Sequence, residues 1–165
     1  MEIKLVAASE DDRPIIQNLA RFYVYDLSEY ASWPCPEDGQ YECRDLSAYW
    51  QAPGAPFLLK ADGELAGFAL VDRHPRPDHD YWMGEFFVLR KFRRQGIGSS
   101  AARLIFDRFR GSWMIGQMPN NRPAIAFWRA FIASYAGNQF SETVRYVDHV
   151  DDEMNVFEFR SLAKT

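Results

Sequence analysis

The sequence predicts an α/β (α+β) fold with a mixed central sheet, and three observations predict it. β-rich runs alternate with segments whose apolar residues recur at three- and four-residue spacing. Two of those runs flank an Asp-Gly pair, and one passes through a glycine turn directly into a helix. In chain order the elements read β-α-α-β-β-β-α-β-α-β-β, with at least one parallel crossover around a helix that opens near Ser99. A length of 165 residues fits a single domain over 1–165, since one domain takes about 100 to 200 residues.

Ile3 to Ala7 is a short apolar run suited to a first strand. Ser9 and Asp12, with Pro14 behind them, mark a helix start. That helix reaches roughly Leu27, and Ile15, Ile16, Leu19, Phe22 and Tyr23 recur along its inward face. Ser28 to Gly54, rich in Pro, aromatics and acids, reads as a structured cover holding a short helix from Asp45 to Gln51. Pro56 to Arg73 is a hairpin around Asp62-Gly63, a pair that tolerates the positive φ angles of a type I′ turn. A polar loop from His74 to Asp80 then precedes the apolar strand YWMGEFFVL.

Between Ser99 and about Phe109, Ala102, Ile105, Phe106 and Phe109 keep helical spacing, while Arg103 and Asp107 form a solvated pair on the opposite face. SWMIGQM is the next strand. A helix follows from about Arg122 to Ile132 with Pro123 in its first turn, and ETVRYVDHV and MNVFEF close the chain as strands. Such terminal strands could pair across a homodimer, because edges seldom stay bare.

Composition narrows the function. A pI of 5.4 argues against a nucleic-acid binder, which carries a basic surplus. The longest apolar runs fall well short of the ~18 residues needed to cross a bilayer, and MEIKLVAASEDD turns acidic where a signal peptide would be apolar. The expectation is a cytoplasmic protein with no membrane partner. Cys35 and Cys43 read as reduced thiols. His74, Asp78, His79 and Asp80 share one short loop with no matching ligand elsewhere, so no metal is expected.

Against a formal net charge of -4, the stretch RKFRRQGIGSS gathers four cations in five residues beside Gly96 and Gly98. A strand, a turn without β-carbons at those glycines and a helix opening at Ser99 leave backbone N–H groups with no intrahelical partner, which suits an anion. Arg93 and Arg94 add positive potential, so the ligand expected is phosphate-bearing. The plainer alternative is a tight turn ringed by solvated arginines. G-x-x-x-x-G-K-[ST] is absent. The dinucleotide fingerprint has a third glycine where Ala101 stands and follows the first strand, whereas this turn comes far into the chain.

FVLRKFRRQGIGSSAARLIF resembles the acetyl-coenzyme A binding motif of the GNAT N-acetyltransferase family, whose pattern R/Q-x-x-G-x-G/A is matched by Arg93, Gly96 and Gly98. Asn121 to Trp128 keeps a second feature, N-x-x-A at a helix start followed by an aromatic pair, and the element order matches along nearly the whole chain. The resemblance implies a GNAT-like mixed sheet and an acetyl-coenzyme A dependent N-acetyltransferase using direct transfer in a ternary complex. It implies a pyrophosphate on the amides of Arg93, Arg94, Gln95, Gly96, Ile97, Gly98 and Ser99, and a pantetheine arm along Phe86, Phe87 and Val88. It also implies a contact from Asn121, which equally suits a helix N-cap, and an oxyanion met by a backbone N–H near Val88. The alternative function is a non-catalytic acyl-coenzyme A sensor.

Acetyl transfer to an amine needs a base, oxyanion stabilisation and a proton for the leaving thiolate. Glu85, in the apolar run before the implied pantetheine segment, is the candidate base because partial burial raises a carboxyl pKa. The alternative is a carboxylate paired with an arginine or facing solvent. Family members often carry a tyrosine acid where this chain has Trp128, whose indole N–H is no usable acid. Tyr135 is the substitute candidate, with a packing role as its alternative. From Glu29 to Asp45 the cover holds five acids, Glu29, Glu37, Asp38, Glu42 and Asp45, against Arg44 alone, a net -4. An acidic, aromatic mouth attracts a cation, so the acceptor expected is an amine of a small molecule or peptide.

Overall fold

The protein is described by a computed structural model covering residues 1–74 and 76–161. Its strands are β1 (Ile3–Ala7), β2 (Gly54–Ala61), β3 (Glu64–Asp72), β4 (Tyr81–Val88), β5 (Gly111–Gln117), β6 (Phe140–Val147) and β7 (Asp152–Ser161). They form one sheet in the order β1-β2-β3-β4-β5-β7-β6. Every neighbouring pair is antiparallel except β4 and β5, which the expected crossover makes parallel. The helices are α1 (Arg13–Ala31), α2 (Ile97–Arg108), which is that crossover, and α3 (Arg122–Ala136).

Local chemistry sets these boundaries. Ser9 and Asp12 form a capping box over a 3-10 turn that runs into α1. Asp62 and Gly63 both take positive φ, 49° and 83°, as the type I′ hairpin requires. Asn121 caps α3, its side chain accepting the N–H of Ala124 at 3.2 Å, and Gly137 at φ 65° ends that helix.

The helices sandwich the sheet. α1 lays Ile16, Leu19 and Ala20 on Leu58, Phe68, Leu70 and Phe87 of one face. On the opposite face α2 and α3 lay Ala102, Ile105, Phe106, Trp128 and Ile132 against Met83, Trp113, Ile115 and Phe157. Phe106 has no solvent exposure and meets Trp113 edge-on at 4.6 Å. Truncating such a ring to alanine costs about 3–5 kcal/mol.

Four expectations need correcting. The apolar stripe of α1 is narrower than its spacing suggests, since Ile15 and Phe22 face solvent while Ile16, Leu19 and Ala20 fill the interface. The short helix expected from Asp45 to Gln51 is one 3-10 turn, Ser47–Trp50, whose start is held by the Asp45 carboxylate on Ser47. Arg103 and Asp107 are not simply solvated: the Tyr135 hydroxyl donates to Asp107 at 2.9 Å and Arg103 lies over the Tyr135 ring. Of the two terminal strands only β6 is an edge, because β7 is inserted between β5 and β6. Among the described residues no helix is long and apolar enough to cross a membrane.

Candidate active site

The site begins where the sheet opens. β4 and β5 pair only at Tyr81 with Trp113 and Trp82 with Met114. Beyond that point the strands part, and Met83 to Val88 remains bonded to β3 alone. Leu70 faces Glu85 while Val71 faces Met83, so Gly84 is the extra residue of a β-bulge. Gly84 has room for no side chain because the Tyr49 hydroxyl occupies the space a Cβ would take. A bulge beside a strand divergence exposes backbone groups and re-aims the next side chain, here Glu85.

A cleft of about 540 Å³ fills the gap, within the roughly 300–1,000 Å³ range of small-molecule sites. Its walls are Tyr23, Asp26 and Tyr30 from α1, Phe86 to Val88 of β4, the turn residues Arg93, Arg94, Gly96, Gly98 and Ser99, and Asn121 and Phe127 at α3. The Asn120 side chain donates to the carbonyl of Tyr30 at 2.8 Å, tying the end of α1 to the start of α3 across the opening.

The glycine turn is an anion cradle by conformation. Arg94 and Gly96 both lie in the left-handed region, φ 60° and 77°, and Gly96 is the residue from which α2 starts. The N–H groups of Ile97, Gly98 and Ser99 therefore open a helix and lack partners in it. A Cβ at Gly98 would sit 3.3 Å from the Phe127 ring, whereas one at Gly96 would meet open space. Glycine is thus required at 96 by backbone angle and at 98 by close packing.

The side chains around this turn behave differently from what their charges suggest. The Arg93 guanidinium is not free: Nε donates to the Val88 carbonyl at 2.8 Å and the outer nitrogen to Asp26 at 2.6 Å. Arg90 takes the other Asp26 oxygen, also at 2.6 Å. Burial works to raise the Asp26 pKa, but the two guanidinium groups outweigh it and hold the carboxyl below its ordinary value. Arg93 therefore works as a tie between α1 and the cradle, and the clasp of two cations and one anion leaves a surplus of one positive charge. The Gln95 side chain folds back on the Lys91 carbonyl, and Ile97 is buried against Ala61, Ala66 and Phe92. Neither of those residues lines the cleft. Asn121 lines the cleft while capping α3.

Glu85 lies on the α1 side of β4, beneath the cover. Its carboxylate accepts from Arg44 at 3.2 Å. Burial raises its pKa; the neighbouring Tyr23 hydroxyl and the Arg44 charge oppose that and do not cancel it. Burial and the Glu85 charge push the Tyr23 hydroxyl well above the ordinary tyrosine range, the Tyr49 hydroxyl to about 12 and the Cys43 thiol to about 11. A titratable group is thus enclosed by three neutral donors and one cation.

Tyr135 stands apart from this cluster. It lies near the end of α3, its ring packed on Phe106 and Phe131 and its hydroxyl committed to Asp107, and burial and Asp107 raise its pKa to about 12. It does not line the cleft. Trp128 is buried against Phe86 and Phe106. Tyr23, Asp26, Arg44 and Tyr49 are the site residues that sequence reasoning passes over. The one signal for Tyr23 is its place on the inward face of the first helix.

The model of the acetyltransferase (GNAT) family matches residues 24–131, spanning the cleft from α1 to α3. No curated protein sequence matches the chain. Among solved structures, an acetyltransferase from Thermus thermophilus superposes with a TM-score of 0.67 at 16% identity, over 97% of each chain. A spermidine N-acetyltransferase from Vibrio cholerae, in complex with CoA and spermine, gives 0.65 at 12% identity over 96% of this chain and 95% of its own. The ribosomal-protein-S18-alanine N-acetyltransferase from Escherichia coli gives 0.60 at 16% identity over 99% and 97%. The parted strands, the glycine cradle at the start of α2 and the matched stretch belong together: the chain is an acetyltransferase of the GNAT family.

Proposed function

We propose that the protein, acting as one domain over 1–165, transfers acetyl from acetyl-coenzyme A to a primary amine in a ternary complex. The observation that carries this reading is the cleft where β4 leaves β5, which brings the Gly96–Ser99 amides and the Phe86–Val88 segment to one opening. GNAT enzymes use acetyl-coenzyme A, and the residues present fit it. The cradle amides would hold the pyrophosphate, the β4 backbone the pantetheine, and Asn121 would add a polar contact. When bound, it supplies a thioester carbonyl for attack.

Glu85 is the base. Its raised pKa brings a carboxylate closer to the range where it can take a proton from an amine. Direct transfer is favoured over a covalent route because burial and the Glu85 charge push the thiol of Cys43 up to about 11, leaving it protonated and unreactive near neutral pH. The exposed carboxylates Glu37, Asp38 and Glu42 of the cover favour a cationic acceptor. A polyamine is the first acceptor to try, because the Vibrio cholerae neighbour was solved with spermine.

Isothermal titration with acetyl-coenzyme A, on the native chain and on Gly96→Trp, tests the cofactor site. Binding by the first and not by the second is expected. Equal binding by both, or none by either, overturns the reading. Thiol release in the presence of spermidine, glucosamine or a short peptide with a free N-terminus then tests transfer, and binding without release to any of them would favour the acyl-coenzyme A sensor.

A further inference from the structure

Arg44 is the only cation between Glu29 and Asp45, a stretch that holds five acids. Its ion pair crosses instead to β4: the outer nitrogen Nη2 donates to Glu85 Oε1 at 3.2 Å, across 41 positions of chain. Asp45 beside it is taken up by the N–H and hydroxyl of Ser47, and Asp38 by the N–H of Gln40. The two ends of the pair differ in access. The Glu85 side chain is 15% exposed and the Arg44 side chain 67%, so the guanidinium stands on the solvent side of the carboxylate. An amine arriving from water at Glu85 meets Arg44 with it.

A guanidinium carries its N–H donors in a planar fork that fits a carboxylate, and the bond to Glu85 leaves the outer edge of that fork to water. In an α-amino acid the amine nitrogen and a carboxylate oxygen lie about 3 Å apart, since bonds of about 1.5 Å meet at about 111° at the carbon between them. The Nη2 to Oε1 distance of 3.2 Å is the same span. The amine therefore fits against Glu85 while its own carboxylate lies against Arg44, and charge alternates in sign around the four groups. A polyamine has no group that answers the guanidinium, and a second ammonium near it is repelled.

Resting on the transferase reading above, we propose that Arg44 selects the acceptor: the preferred amine carries a carboxylate on the adjacent carbon, as an α-amino acid does. Arg44 binds that carboxylate while Glu85 receives the amine, and acetyl goes to the α-nitrogen. The exposed carboxylates Glu37, Asp38 and Glu42 suit a side chain that ends in a cation, so L-lysine is the first member of the class to try. Once acetylated, the nitrogen is an amide with no charge for Glu85, and the product is held at one end only. Amines without the carboxylate, spermidine among them, are acceptors of lower kcat/KM.

L-Lysinamide and 6-aminohexanoate test the two requirements separately. The amide keeps the α-amine and has no carboxylate; 6-aminohexanoate has both groups but holds them five methylenes apart. The first measurement needs no turnover. Titrated into the complex with coenzyme A, L-lysine should bind about 10- to 100-fold tighter than either, the range of a charge-assisted bond. Lysinamide carries the greater positive charge, so attraction by the cover alone predicts the reverse order. Equal affinities, or no binding of L-lysine, overturn the assignment. The second measurement is kinetic: kcat/KM from thiol release should follow the same order, with Nα-acetyllysine as the product by NMR. Nε-acetyllysine overturns it. The third uses Arg44→Gln, with Arg44→Lys beside it. The lysine-to-lysinamide ratio should collapse toward one in Arg44→Gln and fall part of the way in Arg44→Lys, which keeps the charge without the fork. If Arg44→Gln melts early, the ratio in Arg44→Lys decides. An arginine that only neutralises Glu85 would alter turnover of both amines alike, and a native ratio in the variants overturns the assignment. A native chain that acetylates spermidine but neither binds nor acetylates L-lysine overturns the role of Arg44 and leaves the transferase standing. A native chain that binds L-lysine over the amide and releases no thiol overturns the transferase reading and leaves the carboxylate site.

Discussion

On the α3 side of β4 the cleft is walled by Phe86, Val88, Phe127 and the amides of the Gly96–Ser99 turn, apolar surface and fixed dipoles without a titrating group among them. On the α1 side stand Tyr23, Arg44, Tyr49 and Glu85, all titratable and all shifted in part by one another. The first flank depends on backbone angles and close packing, which respond little to pH. The second depends on charges in a partly dry site, where each group sets the others' protonation. On the transfer reading proposed above, one strand separates a wall that binds acetyl-coenzyme A from a wall that reacts, and variants on the two walls should change different constants.

The largest effect that would sharpen this division is expected from Glu85→Gln. Its kcat should fall about 10²–10⁴ with the acetyl-coenzyme A Kd unchanged. The native pH–rate profile should rise through the Glu85 pKa, which burial holds above its ordinary value. Glu85→Gln should lose that limb and keep only the one set by the acceptor amine. Stability has the opposite sign. A carboxyl raised on folding contributes stability below its unfolded pKa and loses it as pH rises through the folded pKa. Native protein should therefore lose Tm relative to Glu85→Gln as pH increases over that window. A parallel loss of cofactor affinity in Glu85→Gln would break the division.

Gly98→Val probes the other wall. The added methyls would press on the Phe127 ring, already 3.3 Å from a Cβ at that position, and fill part of the cradle. Acetyl-coenzyme A affinity should drop by about 10- to 100-fold, equivalent to about 1.4–2.8 kcal/mol. Saturating kcat and the shape of the pH profile should stay native. A shifted pH profile would mean that the cradle and Glu85 are coupled through β4.

The same contrast explains what can be read from the sequence. The binding wall is local: Arg93 to Ser99 are consecutive, glycine spacing reports backbone angle directly, and the strand, turn and helix around them follow from periodicity. The hairpin at Asp62-Gly63 is legible for the same reason. The reacting wall is not local. Tyr23, Arg44 and Tyr49 reach Glu85 from three separate segments, and their meeting depends on how α1 and the irregular 32–46 stretch fold over the sheet. Glu85 itself stands out as one carboxylate in an apolar run, and pairing with an arginine is one of the two readings its sequence context allows. The cations beside the glycine turn show the converse error. Counting charge along the chain predicts free cations, whereas Asp26, 67 positions from Arg93, takes up much of that charge.

The cover gives the smallest effect and tests whether charge beyond the reacting wall matters. Glu37, Asp38 and Glu42 are exposed, and the Asp38 carboxylate also accepts the Gln40 N–H at 3.0 Å. Replacing them with Gln, Asn and Gln keeps that acceptor while removing three negative charges. Exposed charges act through water and are screened beyond about 8 Å at physiological ionic strength. The expected result with spermidine is a rise of about three- to fivefold in KM at low salt, about 0.6–1 kcal/mol for the three charges together, the low end of surface interactions. The rise should fade as salt is added, and kcat and acetyl-coenzyme A affinity should not move. A KM that stays native at low salt would remove the cover from acceptor selection. Selection would then rest on Tyr23, Arg44, Tyr49 and Glu85, where an exposed arginine beside the base would admit an acceptor carrying an acidic group as readily as a polycation.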